Sequence, residues 1–229
     1  MSHYPIHPEI SLAQTLPGAA YVDIDFFMLQ RERIFARSWQ YLPVVPDNKH
    51  NVYPITLLPG LLDVPLLMTQ AAEGDWQLLS NVCTHRGAVL VDAATQCRTV
   101  RCPYHGRSFG LDGRMLAMPA FEATRDFPAA TDHLPRLSLA WSGLLPFVNL
   151  DVSLDAKASF APLGQILDEL FAWVPWQDFR FAPELSRDYA LAANWMLYVD
   201  NYLEGLHIPY VHPALNRALD FKAYVTKPL

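Results

Sequence analysis

Two short segments each pair a cysteine with a histidine, and their spacing constrains the fold of this chain more than any other feature. Cys83-Thr-His85-Arg-Gly is followed by Cys102-Pro-Tyr-His105-Gly, with sixteen residues between His85 and Cys102. Short apolar runs precede both segments, so each pair is expected at the end of a strand, where two loops can converge on one metal centre. Each segment closes on a glycine, which allows the tight backbone turn that such a loop needs.

Three interpretations of these four side chains remain open from residue types alone. Two thiolates and two imidazoles suit tetrahedral zinc, although zinc fingers normally pair Cys with Cys and His with His along the chain. The alternating order is the one used by a Rieske [2Fe–2S] cluster, with two thiolates on one iron and two imidazoles on the other. Coincidence between ordinary residues is the third interpretation. The order favours the cluster, with four predicted ligands: Cys83, His85, Cys102 and His105.

A second group of candidate ligands lies in residues 194–212. A helix is expected over about 194–206, stopped near Pro209. At helical spacing, three side chains would then share one face: Asp200, Glu204 and His207. The bend at Pro209 would let His212 turn toward the same point. Two imidazoles and one carboxylate form the facial triad of non-heme Fe(II) oxygenases. A structural helix stays open as the alternative, although the neighbouring residues are too apolar for an ordinary solvated face.

Taken together, the two segments resemble the α subunits of Rieske non-heme iron (ring-hydroxylating) oxygenases. The resemblance implies that His207 and His212 bind a catalytic Fe(II). It also implies that Glu204 links that iron's histidine to a cluster histidine of a neighbouring subunit, and that Asp200 and Asn201 lie close to the same site. In this family the cluster passes electrons singly to the iron, which activates O₂ for mono- or dioxygenation of small molecules, among them arenes and quaternary amines.

Several positions depart from related patterns. Respiratory Rieske proteins carry an extra cysteine in each loop, whereas this chain has Ala88 and Tyr104 there, which predicts a cluster of low potential. Arg107 stands where many oxygenases have Trp. The family's third iron ligand is a carboxylate well over a hundred residues after the second histidine, whereas this sequence stops seventeen residues after His212. We therefore expect an incomplete catalytic domain, with Asp220 only a weak substitute for that ligand.

The expected fold is of the α+β class. An antiparallel β Rieske domain over residues 39–152 would be inserted in a partial helix-grip-like (SRPBCC) catalytic domain. Residues 1–38 would form an N-terminal helical segment associated with that catalytic domain, and residues 153–229 its incomplete start.

The coarse pattern also predicts individual elements. A first helix is expected over 24–37 with Asp25 as N-cap, an amphipathic helix over 163–174, and a strand over 189–193. Short strands are predicted between turn signals at Val52–Leu58, Leu61–Met68, Trp76–Val82, Thr99–Cys102 and Leu144–Leu150.

The composition limits the kinds of partner that the chain is expected to bind. The chain has 229 residues, 52% apolar, and a net charge of −6, so nothing draws it to nucleic acid or to an anionic membrane. With no apolar run near the roughly 20 residues of a membrane helix and only three cysteines, a cytoplasmic protein is expected. The partners implied by the resemblance are a reductase or ferredoxin, O₂, a small organic substrate and copies of the chain in a homotrimer. The alternatives are a Rieske electron carrier without oxygenase activity and a structural zinc module.

Overall fold

The computed structural model describes residues 4–72, 74–121, 123–180 and 182–223. Two compact units are present. One comprises Gln30–Ala182, and the other combines Met1–Leu29 with Pro183–Leu229, so the first is inserted in the sequence of the second. The mixture of an antiparallel β unit with helices confirms the expected α+β class. The domain boundaries at 38/39 and 152/153 remain a prediction.

The inserted unit is built from two antiparallel sheets. Its strands are β1 (Gln40–Tyr41), β2 (Val52–Leu57), β3 (Val64–Gln70), β4 (Trp76–Ser80), β5 (Thr99–Arg101), β6 (Ser108–Gly110), β7 (Met115–Ala117), β8 (Arg136–Ser142) and β9 (Leu145–Asn149). In the described residues the larger sheet has the order β1-β9-β8-β4-β3-β2, and the smaller one has the order β5-β6-β7. The five strands predicted in this unit are confirmed. Four are shorter than expected, and β3 begins at Val64 and ends at Gln70 where Leu61–Met68 was predicted.

Both faces of the larger sheet are buried at its centre. In β3, Leu67 contributes to one apolar core while Leu66 and Met68 contribute to the other. In β4, Leu79 and Leu78 divide between the same two cores. Side chains alternate across a strand, so a strand covered on both faces must be apolar at successive positions. The core on the Leu67 side also includes residues of the smaller sheet and the thiols that are candidate cluster ligands.

The helices divide between the units. The longest ones are α1 (Ile24–Gln30), continued by a π-helical turn (Arg31–Phe35), α2 (Ala156–Leu170), α3 (Trp195–Leu203), α4 (Ile208–Val211) and α5 (Pro213–Ala218). Short 3₁₀ turns lie at Ile10–Leu12, Gly18–Tyr21, Ala130–Asp132, Trp176–Asp178, Pro183–Leu185 and Phe221–Ala223. Among the described residues, no helix is both long enough and apolar enough to span a bilayer.

Two local predictions are wrong. Asp25 is not an N-cap, because α1 already begins at Ile24 and the carboxylate of Asp23 accepts the N–H of Phe26 at 3.0 Å. An N-cap must precede the first helical residue, and Asp25 lies inside the first turn. The predicted strand over 189–193 is absent, and Tyr189 and Leu191 are exposed. A strand needs a partner to satisfy its backbone groups, and apolar alternation alone does not supply one.

The helix expected to reach residue 206 is also shorter than predicted. α3 ends at Leu203, and Glu204 adopts an extended conformation with φ −126° and ψ 156°. Gly205 follows, a poor helix former. Pro209 does not stop α3; it lies in the first turn of α4, where its missing N–H is not needed. Asp200, Glu204 and His207 therefore do not share one helical face.

Candidate metal centres

The two Cys/His loops have matching backbone geometry. The N–H of Cys83 donates to the carbonyl of Ala88 at 2.8 Å, and the N–H of Cys102 donates to the carbonyl of Arg107 at the same distance. In each loop, the glycine four residues after the cysteine donates back to the cysteine carbonyl. These glycines have φ of +71° and +73°, a region that other residues rarely adopt. The repeated motif explains why each segment closes on glycine.

The structure brings the four predicted ligands together. Cys83 and Cys102 are both buried, and their thiols influence each other's pKa. The rings of His85 and His105 lie 4.9 Å apart, centroid to centroid. His105 is exposed, and the ring of Tyr104 lies 3.8 Å from its ring. The site therefore has a buried sulfur side and an imidazole side that reaches the surface.

The two thiols differ in acidity. Burial raises the pKa of Cys83 above its ordinary value. Burial also opposes ionisation of Cys102, but the N–H groups of Tyr104 and His105, the Cys83 thiol and the Arg107 cation together lower its pKa. Burial, the nearby His105 ring and the charges of Arg107 and Arg86 lower the pKa of His85, which favours its neutral imidazole. One stabilised thiolate and a neutral imidazole are the protonation states that metal binding requires.

This donor set fits a Rieske cluster. Each loop contributes one thiol and one imidazole. The two thiols and the two imidazoles match a cluster in which one iron has sulfur ligands and the other has nitrogen ligands. The thiols are buried, whereas His85 is partly exposed and His105 is exposed, so the imidazole side of the site reaches solvent.

The second group is centred on His207. Its Nδ1 lies 2.5 Å from Oε1 of Glu204, and the N–H of Leu206 donates to the other carboxylate oxygen. The hydrogen bond with His207 lowers the pKa of Glu204, and the N–H of Leu206 acts in the same direction. The ring of His212 lies 5.1 Å from that of His207, at an interplanar angle of 74°. His207 and His212 flank the single turn of α4, which brings both imidazoles together as predicted, although Pro209 lies within that turn and does not break the chain.

A cavity of about 300 Å³ adjoins this histidine pair. Its lining residues are Asn201, Tyr202, Glu204, His207, Ile208, His212, Leu215 and Leu219. The lining joins two imidazoles and a carboxylate to apolar side chains, a combination typical of a site for a small molecule. Asn201 lies in this lining as predicted. Asp200 does not; its carboxylate accepts a hydrogen bond of 2.6 Å from the hydroxyl of Tyr21.

Over the part of the chain that the structure describes, no three His, Cys, Asp or Glu side chains converge on a site for one metal ion. A Rieske cluster does not need such a trio, because each iron takes two protein ligands. A facial triad does need a third ligand beside His207 and His212, and Asp220 does not join them. His207 and His212 fit Fe(II) as two of the three protein ligands of a facial triad.

One cluster of interacting side chains beside the two Cys/His loops was not predicted from the sequence. Arg107 is buried and contacts both Thr84 and Asp132. The replacement of Trp by Arg at position 107 was the one signal in the sequence. Nothing in the sequence connects that arginine with an aspartate 25 residues later.

Comparisons with known proteins agree with both centres. Residues 51–128 match the Rieske [2Fe-2S] domain family. Residues 179–227 match the family described as the ring hydroxylating alpha subunit (catalytic domain). Both segments thus match the domains of Rieske oxygenase α subunits, as the sequence predicted. The two domains imply a Rieske cluster and a mononuclear iron, as the sequence predicted.

The names of the curated relatives refer to quaternary ammonium substrates. Choline monooxygenase of Beta vulgaris is 29% identical over 225 residues, covering 97% of this chain and 49% of the relative. The carnitine monooxygenase oxygenase subunit of Escherichia coli K12 is 26% identical, covering 93% of this chain and 56% of the relative. The chain therefore spans about half the length of the curated relatives it matches.

Solved structures show the same fold. The quaternary ammonium Rieske monooxygenase CntA with L-carnitine superposes with a TM-score of 0.72 at 22% identity, covering 90% of this chain and 58% of that one. Naphthalene 1,2-dioxygenase from a Rhodococcus species gives 0.63 at 21% identity, covering 89% and 47%. At these identities the likeness is one of fold.

Proposed function

We propose that this chain is a Rieske oxygenase α subunit that provides the electron-transfer domain and part of the iron site of a monooxygenase acting on a quaternary ammonium compound. The observation that carries the proposal is the presence of two centres in one chain. One is a Cys/His quartet suited to one-electron transfer, and the other is an imidazole pair beside a carboxylate in a small cavity. An electron carrier has no use for the second centre.

In this proposal Cys83, His85, Cys102 and His105 hold the cluster, and His207 and His212 hold Fe(II). The bound groups supply single electrons and activate O₂. One oxygen atom enters a C–H bond of the substrate and the other leaves as water, which consumes two electrons from a reductase or ferredoxin and two protons from solvent. Glu204 keeps Nδ1 of His207 protonated, which leaves Nε2 for the metal.

The proposal extends to assembly. A carboxylate has about four acceptor positions, and Glu204 uses two of them, on Nδ1 of His207 and the N–H of Leu206. It can therefore accept one more hydrogen bond, from a cluster histidine of a neighbouring copy, as the resemblance implies for a ring-shaped trimer. If so, Glu204→Ala leaves the cluster spectrum intact but uncouples cluster oxidation from product formation. Unchanged turnover would contradict the bridging role. The cytoplasmic location stays a prediction.

The substrate class rests on the named relatives, which oxidise choline, carnitine and glycine betaine. Tyr202 contributes an aromatic residue to the cavity lining, and aromatic rings attract quaternary ammonium groups. The test is binding of choline against 3,3-dimethylbutanol, which has the same shape without the charge. Tighter binding of choline is expected. Equal binding would contradict the ammonium class while leaving the oxygenase assignment in place.

Iron and sulfide analysis tests the main proposal. The reconstituted chain is expected to hold about three irons and two sulfides, and His212→Ala about two of each with an unchanged Rieske spectrum. His7→Ala, at an exposed histidine outside both centres, is the matched control and should retain the third iron. Zinc without sulfide would indicate the structural module instead.

One observation favours a second candidate, a Rieske electron carrier. No third ligand joins the two histidines within the residues described here. A carrier would hold about two irons and two sulfides, and His212→Ala would not change its metal content. The same analysis therefore separates the two functions.

A further inference from the structure

Arg107 is a buried cation beside the candidate cluster loops. Arg107 is 3% exposed. Among the described residues, the other buried polar side chains are neutral. Burial of a guanidinium is costly unless specific partners compensate for the lost hydration. A fold that buries an arginine two residues after a metal-binding histidine must therefore provide such partners.

Those partners connect three segments of the inserted unit. Nη1 of Arg107 donates to the hydroxyl of Thr84 at 2.9 Å and to Oδ1 of Asp132 at 3.1 Å. The Thr84 hydroxyl donates in turn to the carbonyl of Asp132 at 2.7 Å. Thr84 lies between Cys83 and His85 in the first loop, whereas Arg107 belongs to the second. The arginine thus ties one cluster loop to the other.

Apolar contacts complete the enclosure of the guanidinium. Its central carbon lies 5.5 Å from the ring centroid of Phe127, and Nε lies 3.5 Å from the sulfur of Met118. Contact with an aromatic face stabilises a cation, and the enclosure excludes the water that would screen its charge. The carboxylate of Asp132 is more open, with 21% of its side chain exposed against 4% for Arg107. The arginine therefore acts on its surroundings more strongly than its partner does.

We propose that Arg107 is a positioning residue that joins the two cluster loops and raises the reduction potential of the cluster through its buried positive charge. The inference rests on the proposed assignment of Cys83, His85, Cys102 and His105 as cluster ligands. A reduced cluster carries one more negative charge than an oxidised one, so a nearby cation favours reduction. The bond from Arg107 to Thr84, the residue between Cys83 and His85, holds the guanidinium beside both ligand loops. Substitution of the Trp found in many relatives would remove it.

The experiment measures the midpoint potential of the reconstituted full chain by a redox titration followed in the visible spectrum. Arg107→Met removes the charge at similar length, and it should lower the equilibrium constant for reduction about tenfold, equivalent to about 59 mV for a one-electron couple. Arg107→Lys should retain most of the wild-type potential. Arg86→Met is the matched control. Arg86 follows a ligand histidine and its charge also acts on His85, but it is exposed and screened, so its potential shift should be much smaller.

A second variant keeps the proposal testable if Arg107→Met fails to take up iron. Asp132→Asn leaves the guanidinium in place without its counter-charge, so the potential should move upward, opposite to Arg107→Met. An unchanged or lower potential in Asp132→Asn overturns the proposal, as does an unchanged potential in a fully loaded Arg107→Met. Absence of a Rieske spectrum in the wild-type chain would instead overturn the ligand assignment.

Discussion

Oε1 of Glu204 lies 2.5 Å from Nδ1 of His207, three residues later in the chain. A carboxylate at Nδ1 keeps that nitrogen protonated, so the lone pair of the imidazole is on Nε2. The same hydrogen bond lowers the pKa of Glu204, which keeps the acceptor ionised at neutral pH. The extended conformation of Glu204 after the end of α3 allows the contact.

This relationship predicts that Glu204→Ala weakens Fe(II) binding at the histidine pair by about 10–100-fold, the usual effect of removing a hydrogen-bond partner of a ligand histidine. The measurement is an anaerobic Fe(II) titration against a competing chelator, with the cluster already loaded. Glu169→Ala is the control, since Glu169 is an exposed glutamate on α2 that pairs with Gln165. Equal Fe(II) affinities for Glu204→Ala and the wild type would contradict the orienting role.

Much of the cluster site could be predicted from sequence because its determinants are local. Each loop is a few residues long, and ligand, turn and glycine all follow one another in order. The strands of the inserted unit could also be predicted, since β3 and β4 are apolar at successive positions and are flanked by turn residues.

The remaining features depend on contacts between residues far apart in sequence. The Arg107–Asp132 pair joins positions whose spacing has no helical or strand period. The apolar run at 189–193 resembles a strand but finds no neighbour in the described structure. The predicted end of α3 is wrong because helical periodicity continues through Glu204, whereas the backbone is extended there and the Glu204 carboxylate contacts His207.

Gly113 provides a test of packing in the inserted unit. Its φ is +83°, and a Cβ there would lie 2.9 Å from Cδ2 of Leu79. Gly60 has a similar φ of +78° but open space around it. Substitution there therefore measures the cost of placing a non-glycine residue at positive φ, without a clash. Gly60→Ala should lower the free energy of unfolding by roughly 1–2 kcal/mol, and Gly113→Ala by about 1–3 kcal/mol more. Urea unfolding measures both, and equal losses would exclude the clash with Leu79.

Asp47 predicts a pH dependence of stability. The Tyr53 hydroxyl donates to its carboxylate at 2.8 Å, and that bond, with the N–H groups of Lys49 and His50, holds the pKa of Asp47 well below its usual range. Because the folded pKa lies below the unfolded one, the carboxylate stabilises the fold above about pH 4, and this contribution is lost as the pH falls through the folded pKa. Thermal unfolding should show the wild type losing its advantage over Asp47→Asn on acidification. Tyr53→Phe should shrink the same difference, and parallel profiles from neutral to acidic pH would contradict the assignment.

Asn194 makes two contacts at the start of α3, the helix that leads to Glu204. Its side-chain oxygen accepts the N–H of Met196 at 3.0 Å, and its amide donates to the carbonyl of Tyr21 at 3.0 Å. Asn194→Ser keeps a capping oxygen but loses the donor, and should cost about 1 kcal/mol. Asn194→Ala loses both and should cost about 2 kcal/mol. Amide hydrogen exchange along α3 separates the contributions. Equal exchange rates in the two variants would mean that the cap contributes nothing, and that the contact with Tyr21 alone holds the start of this helix.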